Sequence, residues 1–539
     1  MWILPPRTAT SASNSSPGSI SGRPAITTIA RSPCCCRRRA EAVAIVRLQT
    51  LDGRTVEYDD AKLLGQGGMK DVYLGADKSY VVAWYRDKLD HAGQERLKAI
   101  VGSYREGIQS REGGDYWRDL YCWPSSIVQD GQRIGVVAPV YGQNFFFKHG
   151  SVQGDVLGIK GKEKEGKWFA SASNRAKYLA AEEKGTWLSY LQVALSISRS
   201  VRRLHAAGLA HSDLSYKNVL VDPLTGKACI IDIDGLVVPG KYPPDVVGTP
   251  DFIAPEVIAT QHLAKTHPAR KLPSTATDRH ALAVLIYMYL FYRHPLRGGK
   301  VHDMDATKDE ELTMGSKALF VEHPTDASNR VKPADLKPAQ LPWGDPAKMP
   351  HTIAGPLLTD LFRRSFIDGL HNPALRPTAA DWETALVRTI DMVQPCSAKC
   401  DMGWYVFDNS TKPKCPYCGT AYRGQLPVLN LYSSRGGTDF KSDNHRLMVW
   451  DGQSLFPWHA NRLLFPNEHL KPEHRRRAGY FQKHQGDWYL VNENLPTMHD
   501  ADARQDVPIG KNVRLKDGAR ILLGREEGGR LIHVQLVTG

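Results

Sequence analysis

Apolar and polar residues alternate through five short runs between residues 44 and 141: AIVRLQT, TVEYD, DVYLG, YVVAWY and RIGVVAPVY. Period-two alternation predicts half-buried strands, and one helical stretch, ERLKAIVGSYREGI, interrupts them. From about 184 to 393 the period lengthens. In TWLSYLQVALSISRSVRRLHAAG apolar residues recur at three- and four-residue steps, as in an amphipathic helix that ends at Gly208. From about 427 the chain returns to short runs broken by Gly, Asn and Asp: HRLMVWDG, GDWYLVNEN, VRLKDGARILLG and RLIHVQLV. They predict a small all-β sandwich. The expected class is α+β, with a small β-rich lobe, a larger helical lobe and a terminal β-domain.

At 539 residues the chain is too long for one core, and several domains are expected. The polar run KGKEKEGK at 160–167 reads as a solvated insertion rather than a binding patch. ALAVLIYMYLFY at 281–292 is twelve residues long, which suits a buried core helix; a bilayer crossing needs about 20, so no membrane partner is expected. The net charge of +13 is partly local, because residues 1–45 hold six Arg against one Glu. Elsewhere the signs are mixed, and a nucleic-acid partner is not expected. That first segment, rich in Ser, Thr, Pro and Arg, cannot build a core and is expected to be disordered, with an organelle transit peptide as the other reading. Of nine Cys, four have metal-ligand spacing, three are the run Cys34-Cys35-Cys36, and Cys122 and Cys229 are left over. The pattern points to a reducing, cytoplasmic compartment rather than a disulfide framework.

Chemistry enters at AHSDLSYKNVLVD (210–222), which follows the long helix directly. Asp232 comes next, inside IIDIDG at 230–235, and then GTPDFIAPE at 248–256. Order and spacing resemble the eukaryotic-type protein kinase signature set. His211, Asp213, Leu214 and Asn218 match the catalytic loop H-x-D-L-x-x-x-N, and Ala254-Pro255-Glu256 match the APE element. Asp278 resembles the family's central-helix Asp, and Arg376 the late-helix Arg that pairs with the APE Glu. The resemblance implies a bilobal kinase domain over about 46–393 that uses ATP and Mg²⁺. Asp213 would accept the acceptor hydroxyl's proton, and Asn218 and Asp232 would supply oxygen ligands to the metal. IDIDG offers two acids. Asp232 ends the apolar strand where the family places its Asp, which leaves Asp234 where the motif's Gly belongs.

The catalytic loop departs from the family twice. The Lys that Ser/Thr kinases carry two residues after the catalytic Asp is here Ser215, while Lys217 stands where tyrosine kinases keep an Arg and could supply the missing charge to the phosphoryl group. Ser212 replaces the Arg before Asp213, so no cationic pocket for a phosphorylated activation loop is expected. Thr249 matches the Thr that Ser/Thr kinases place against the catalytic Asp, which favours a Ser/Thr acceptor.

The glycine loop departs further. In GQGGMKDVY the family's G-x-G-x-x-G-x-V becomes Gly65, Gly67, then Lys70 in the third Gly slot, then Val72, with Gly68 adding backbone freedom. The third-strand Lys that should hold the phosphates is absent from VVAWY, where Tyr85 or Ala83 takes its place. Arg86 and Lys88 lie just beyond. A Lys stem at position 70 is long enough to reach the phosphates. Lys in this slot together with V-A-W resembles the with-no-lysine kinases, and Lys70 is read as the replacement; a solvated surface Lys is the other reading. Its carboxylate partner on the following helix would be Glu106.

Cys396-x3-Cys400 and Cys415-x2-Cys418 give two thiolate pairs, the pattern of a structural Zn²⁺ ribbon over 394–425. Residues 427–539 resemble a forkhead-associated β-domain, which implies partner recognition and, by that resemblance, phosphothreonine binding; His459, Arg462 and Arg475 to Arg477 are the candidates. Lys-shifted kinase, ribbon and β-module together resemble bacterial kinases associated with tellurium-resistance clusters. The likeness implies a von Willebrand A protein and a metal-dependent phosphatase as partners beside the protein substrate. The expected function is an ATP-dependent Ser/Thr protein kinase. A nucleotide-binding pseudokinase scaffold and a small-molecule kinase are the alternatives.

Overall fold

The structure, a computed structural model, describes residues 45–66, 69–109, 114–242, 248–434 and 439–539. The tail expected over 1–45, save Ile45, and Gly67 and Gly68 lie outside the described residues.

Strands β1 (Ile45–Gln49), β2 (Thr55–Gln66), β3 (Lys70–Gly75), β4 (Tyr80–Tyr85), β5 (Ser126–Asp130) and β6 (Arg133–Pro139) form one antiparallel sheet in the order β1-β2-β3-β4-β6-β5. Alternation along VVAW sorts its faces. Val82 and Trp84 pack with Val56, Tyr58, Val128 and Val137 on one side. Ala83 turns to the other with Ile127, Ile134 and Val136, and that face closes on Leu97 and Val101. These two come from a helical stretch that starts at His91–Ala99 and runs through a π-type turn, Ile100–Tyr104, into Arg105–Gln109. Asp90 caps its start by accepting from the Gly93 N–H at 2.7 Å.

The larger lobe is built around two helices. Trp187–Ala206 begins at a capping box between Thr186 and Ser189. It ends where the Gly208 N–H donates to the His205 carbonyl and the Leu209 N–H to the Leu204 carbonyl, each at 3.0 Å. That closure needs a left-handed residue, and Gly208 has φ +74°. The helix Thr275–Phe291 is buried at every position from Ala281 to Phe291, so the long apolar run is core. The hairpin of β7 (Val219–Asp222) and β8 (Lys227–Ile230) lies between the catalytic loop and the Asp232 turn.

The charged run 160–167 is not a solvated insertion. Lys160 to Lys162 are exposed, but Lys164 is buried and its ammonium lies 3.1 Å from Glu183 and 3.4 Å from Asp222, both buried. The run also lends its backbone to the β7 edge, where the Val221 N–H donates to the Lys164 carbonyl at 3.0 Å. A charge this deep is tolerated because two carboxylates surround it.

Past the last helix of the lobe, Ala379–Ile390, strands β9 (Val393–Pro395) and β10 (Trp404–Val406) pair antiparallel. Cys400, Met402, Tyr405, Phe407 and Cys415 share one continuous core with the helical lobe. The Tyr417 ring sits 5.7 Å from Trp187 and 5.4 Å from Trp343. The ribbon is therefore docked on the lobe.

Two sheets follow. One has the order β12-β11-β20-β19-β16-β17, from β11 (Gln425–Ser434), β12 (Phe440–Met448), β16 (His499–Asp500), β17 (Gln505–Asp506), β19 (Arg520–Leu522) and β20 (Arg530–Thr538). The other has the order β13-β14-β15-β18, from β13 (Ser454–Leu455), β14 (Gly479–His484), β15 (Asp487–Asn492) and β18 (Asn512–Arg514). Leu429, Leu431, Phe481, Leu490, Ile521 and Ile532 form the core of this unit. It is bolted to the helical lobe by buried polar groups. Asp391 accepts from His445 at 2.7 Å and pairs with His459 at 3.1 Å. Arg202 bridges Glu383 of the lobe and Glu468 of the β-unit, each at 2.6 Å. Among the described residues no helix is long and apolar enough to cross a membrane.

Candidate active site

The loop carrying Asp213 hangs from the buried Asp278 carboxylate, which accepts from the backbone N–H of His211 at 2.7 Å and of Ser212 at 3.1 Å. Those bonds hold Ser212 in the left-handed region at φ +66°, a strained state for a residue with a Cβ. The His211 imidazole lies 3.0 Å from the Ile231 carbonyl, which ties the loop to the turn that presents Asp232. Asp213 is held on both oxygens. Oδ1 accepts from Thr249 N–H at 2.6 Å and from its hydroxyl at 2.8 Å, and Oδ2 accepts from the Asn218 amide at 2.9 Å. On the far side of the segment Arg376 makes a bidentate pair with Glu256, at 2.8 and 2.7 Å.

Opposite the loop, Lys70 reaches down from β3. Its ammonium donates to Asp232 Oδ1 at 2.8 Å and to Asp234 at 2.8 and 2.7 Å. Tyr85, Lys70's direct partner in the β3–β4 register, donates its hydroxyl to the same Asp234 carboxylate. Burial works against the charge on Lys70, yet Asp234 and then Asp232 outweigh it and hold its pKa above the usual lysine value. For Asp232, burial is likewise outweighed by Lys70, and its carboxyl is held below the usual range. Burial and the Asp234 charge push the Tyr85 phenol well up, so it stays a donor. Asp232 itself takes the left-handed conformation, φ +60°, two residues past the end of β8. Asp213, Asp232, Asp234, Lys70, Tyr85 and the buried Arg96 line one cavity of about 60 Å³.

The structure thus brings together Lys70, Asp213, Asn218 and Asp232, and adds Asp234. In the sequence Asp234 stands only as an acid in the motif's glycine slot, followed by Gly235. The carboxylates on Lys70 are Asp232 and Asp234, and Glu106 is exposed on the short helix beyond the π-type turn. Arg86 turns outward to Asp71 at 2.9 Å, and Lys88 is exposed. Gly65 pairs with Val72 across β2 and β3; a Cβ there would meet nothing within 4 Å, so the roof is open on that side. Val72 packs half-buried on the helix-facing side with Ala83 and Val136. Lys217 is the site residue placed apart. It is exposed and lines a second, larger cavity with Asp251, because its neighbour Asn218 turns inward to Asp213.

The Sγ atoms of Cys396, Cys400, Cys415 and Cys418 all lie within 4.8 Å of one another. Cys396 and Cys418 are 3.4 Å apart, and Cys400 and Cys415 3.9 Å. Four thiolates at about 2.3 Å from a tetrahedral Zn²⁺ stand about 3.8 Å apart, so the donor set fits that ion. The phosphothreonine candidates fare differently. His459 is buried against Asp391, Arg477 is paired with Glu493 at 2.5 Å, and Arg475 donates to the Leu470 carbonyl at 2.8 Å. Arg462 and Arg476 are exposed.

Residues 172–340 match the family model described as "Protein kinase domain". Among curated proteins, the serine/threonine-protein kinase PknD of Chlamydia trachomatis is 26% identical over 275 residues, covering 45% of this chain and 25% of that protein. PknD of Chlamydia pneumoniae is 27% identical over 267 residues. A dual serine/threonine and tyrosine protein kinase of Apis mellifera is 35% identical over 74 residues, 14% of this chain. The match spans about a quarter of the length of the PknD relatives. Among solved structures, the kinase domain of a Toxoplasma gondii rhoptry antigen aligns over 64% of this chain and 86% of its own, at 13% identity and a TM-score of 0.37. The chain carries a protein kinase domain, similar at low identity to bacterial serine/threonine kinases.

Proposed function

We propose that the protein transfers the γ-phosphate of ATP to a Ser or Thr hydroxyl of a protein, with Lys70 in place of the family's third-strand lysine. The observation that carries this reading is the Lys70 ammonium 2.8 Å from Asp232, in the cavity that also holds Asp213. Mg²⁺ bound with ATP would supply charge neutralisation on the phosphates. The chain's own residues do the rest. Asn218 and Asp232 offer oxygen ligands. Lys70 holds a positive charge at the phosphate end of the cleft. Asp213, oriented by Asn218 and Thr249, accepts the proton of the acceptor hydroxyl. Thr249 against Asp213 supports a Ser/Thr acceptor.

Asp234 works as the fixed partner of Lys70. It is buried, and its two oxygens keep the lysine aimed at the cleft while Asp232 is free to turn to a metal. The four cysteines would hold a structural Zn²⁺, and the β-domain would present the catalytic lobe to partners.

Incubating the protein with labelled ATP and Mg²⁺ tests this. Incorporation by the wild type should disappear in Lys70→Met and in Asp213→Asn, with both variants still folded. Full activity of Lys70→Met with loss in Arg86→Met or Lys88→Met would overturn the lysine assignment. ATP binding without transfer to any protein would favour the pseudokinase scaffold.

A further inference from the structure

The β-rich lobe holds a cavity of about 450 Å³ that shares no lining residue with the cavity at Lys70. Part of its wall is sheet: Val56 of β2, Tyr80 of β4, and Val137 and Pro139 of β6. Tyr121 and Trp123, just before β5, add aromatic surface. These rings keep their polar tips engaged elsewhere. The Tyr80 hydroxyl accepts from the Glu57 N–H at 2.7 Å and donates to the Glu57 carbonyl at 2.8 Å. The Tyr121 hydroxyl donates to the Ser200 carbonyl at 2.6 Å, and the Trp123 indole N–H to the Ile100 carbonyl at 2.9 Å. What they leave to the cavity is apolar ring, in a volume that suits a small molecule.

The rest of the lining is cationic. Arg54 comes from the turn between β1 and β2, Arg105 from the end of the helical stretch after the π-type turn, and Arg118 from the helix Gly114–Leu120. No carboxylate lines the space. Arg54 and Arg105 each donate to the same oxygen, the Ser125 carbonyl, at 3.0 Å, which sets two like charges side by side. Asp52 offsets Arg54 and is committed there: it accepts from the Arg54 Nε at 3.0 Å and from the Ser126 hydroxyl at 2.9 Å. Asp115 pairs with Arg118, but both side chains are largely exposed, and such a pair neutralises little. Arg105 bonds otherwise to Gln109 Oε1 at 3.3 Å, and no carboxylate among the described residues makes an ion pair with it. Burial, then Arg54, hold its pKa below the usual arginine value, and the pull of Asp52 and Glu106 falls short of them.

We infer that this cavity binds a small phosphate monoester carried on an aromatic body, with the phosphate on Arg105 and Arg118 beside Arg54 and the body on Tyr80, Tyr121 and Trp123. Guanidinium forks match phosphate oxygens in pairs, and a dianion answers two cations where a carboxylate answers one. A nucleoside monophosphate and a phosphotyrosine side chain share this chemistry. The inference stands apart from the kinase reading, because none of these residues belongs to the Lys70 cleft.

Calorimetric titration of the full chain with 1-naphthyl phosphate, 1-naphthoate and inorganic phosphate tests it. Naphthyl phosphate should bind about tenfold or more tightly than the other two, of which one lacks the second charge and the other the ring. Arg105→Gln should weaken it about tenfold, the loss of one charge-assisted contact. Thr55→Trp, at an exposed wall position, should block the site with every arginine in place. Lys70→Met should leave the affinity unchanged. Adenosine monophosphate and N-acetyl-phosphotyrosine amide then separate the sources: the tighter of the two, with the same dependence on Arg105, is the kind of ligand the site takes. Equal affinities for the first three probes would overturn the inference. So would binding that survives Thr55→Trp, binding that survives Arg105→Gln in a chain of unchanged melting temperature, or binding that disappears in Lys70→Met.

Discussion

Lys70 and Tyr85 stand directly opposite each other on β3 and β4, and both deliver a proton donor to the carboxylate of Asp234. On the proposed function, Lys70 supplies from one strand away the cation that neither Tyr85 nor Ala83, the two candidates for the family's lysine slot, can offer. Side chains at directly paired positions lie only about 5 Å apart at their Cβ atoms, so a cation can cross the pair without moving the backbone.

That equivalence is testable by swapping the lysine back. Lys70→Met should lower kcat/KM for ATP-dependent transfer by about 100-fold or more, the scale of losing one preorganised charge. The double variant Lys70→Met/Tyr85→Lys should recover at least about tenfold of it. Phosphate incorporation under saturating ATP measures both; a double variant as inactive as the single one refutes the cross-strand exchange.

Asp234 gives a second test. Asp234→Asn removes the buried carboxylate and leaves Lys70 only the half-exposed Asp232. Breaking a buried pair costs about 3–5 kcal/mol, and the surviving carboxylate puts this case near the lower limit. Urea unfolding should show it. The KM for ATP should also rise more than kcat falls, because Lys70 loses its aim rather than its charge. A variant with unchanged KM and unchanged stability would show that Asp234 does not position Lys70.

The sequence made the architecture legible wherever one period or one cap decided it. The helix closing at Gly208, the buried run at 281–291 and the strand YVVAWY all follow from local pattern. The linear motifs also placed Asp213, Asn218, Asp232 and Lys70 near one another. What stayed hidden depends on partners far along the chain. Lys164 looked solvated because its acids, Glu183 and Asp222, lie outside the charged run. Glu106 looked like the partner of Lys70 because family logic puts a carboxylate on that helix, whereas here the acids sit in the Asp232 turn itself. His459 reads as a ligand-binding histidine in the sequence, whereas its ring is buried against Asp391. Strand β11 is absent from the expected strands; its Pro427 pairs only with Leu536 of β20, and β12 joins on the other side from Val428 onward, so the proline sits outside the β11–β12 ladder.

The Asp391 cluster predicts a pH dependence of stability. Burial opposes the Asp391 charge, but His459 and His445 outweigh it and hold the carboxyl far below its usual value. Such a group contributes stability above its unfolded pKa of about 3.9 that is lost as pH falls through the folded value. Burial outweighs Asp391 at His445 and lowers that imidazole, so its charging on acidification also opposes the fold, from about pH 6.5 downward. Arg530 also bears on His445, and it is paired with Asp443 at 2.7 Å. Both signs agree but in different windows: stability should rise with pH below about 3.9 through Asp391, and up to about 6.5 through His445. Asp391→Asn removes both the acid-side loss and the carboxylate that holds His445 up, so the slope should flatten below about pH 3.9, steepen from there to about 6.5, and the β-domain should loosen, read by thermal melting across the range. An unchanged slope in the variant would show that the cluster is not the titrating element.

Metal removal should reach the kinase lobe. Cys400 and Cys415 are buried in the core that contains Trp187, the first residue of the long helix, and the Trp187 N–H donates to the Met402 carbonyl at 2.9 Å. A segment this small has too little core of its own to fold without the Zn²⁺ that its four cysteines are proposed to hold. Stripping Zn²⁺ with a chelator should therefore lower the melting temperature of the lobe, not only of the ribbon, and reduce phosphate transfer in parallel. Cys415→Ser should mimic the effect more strongly than Cys418→Ser, whose sulfur is exposed. Calorimetry with metal analysis decides it: a single lowered transition is expected. Two separate transitions, with the larger one unmoved and activity intact, would mean that the ribbon and the lobe fold independently despite their shared core.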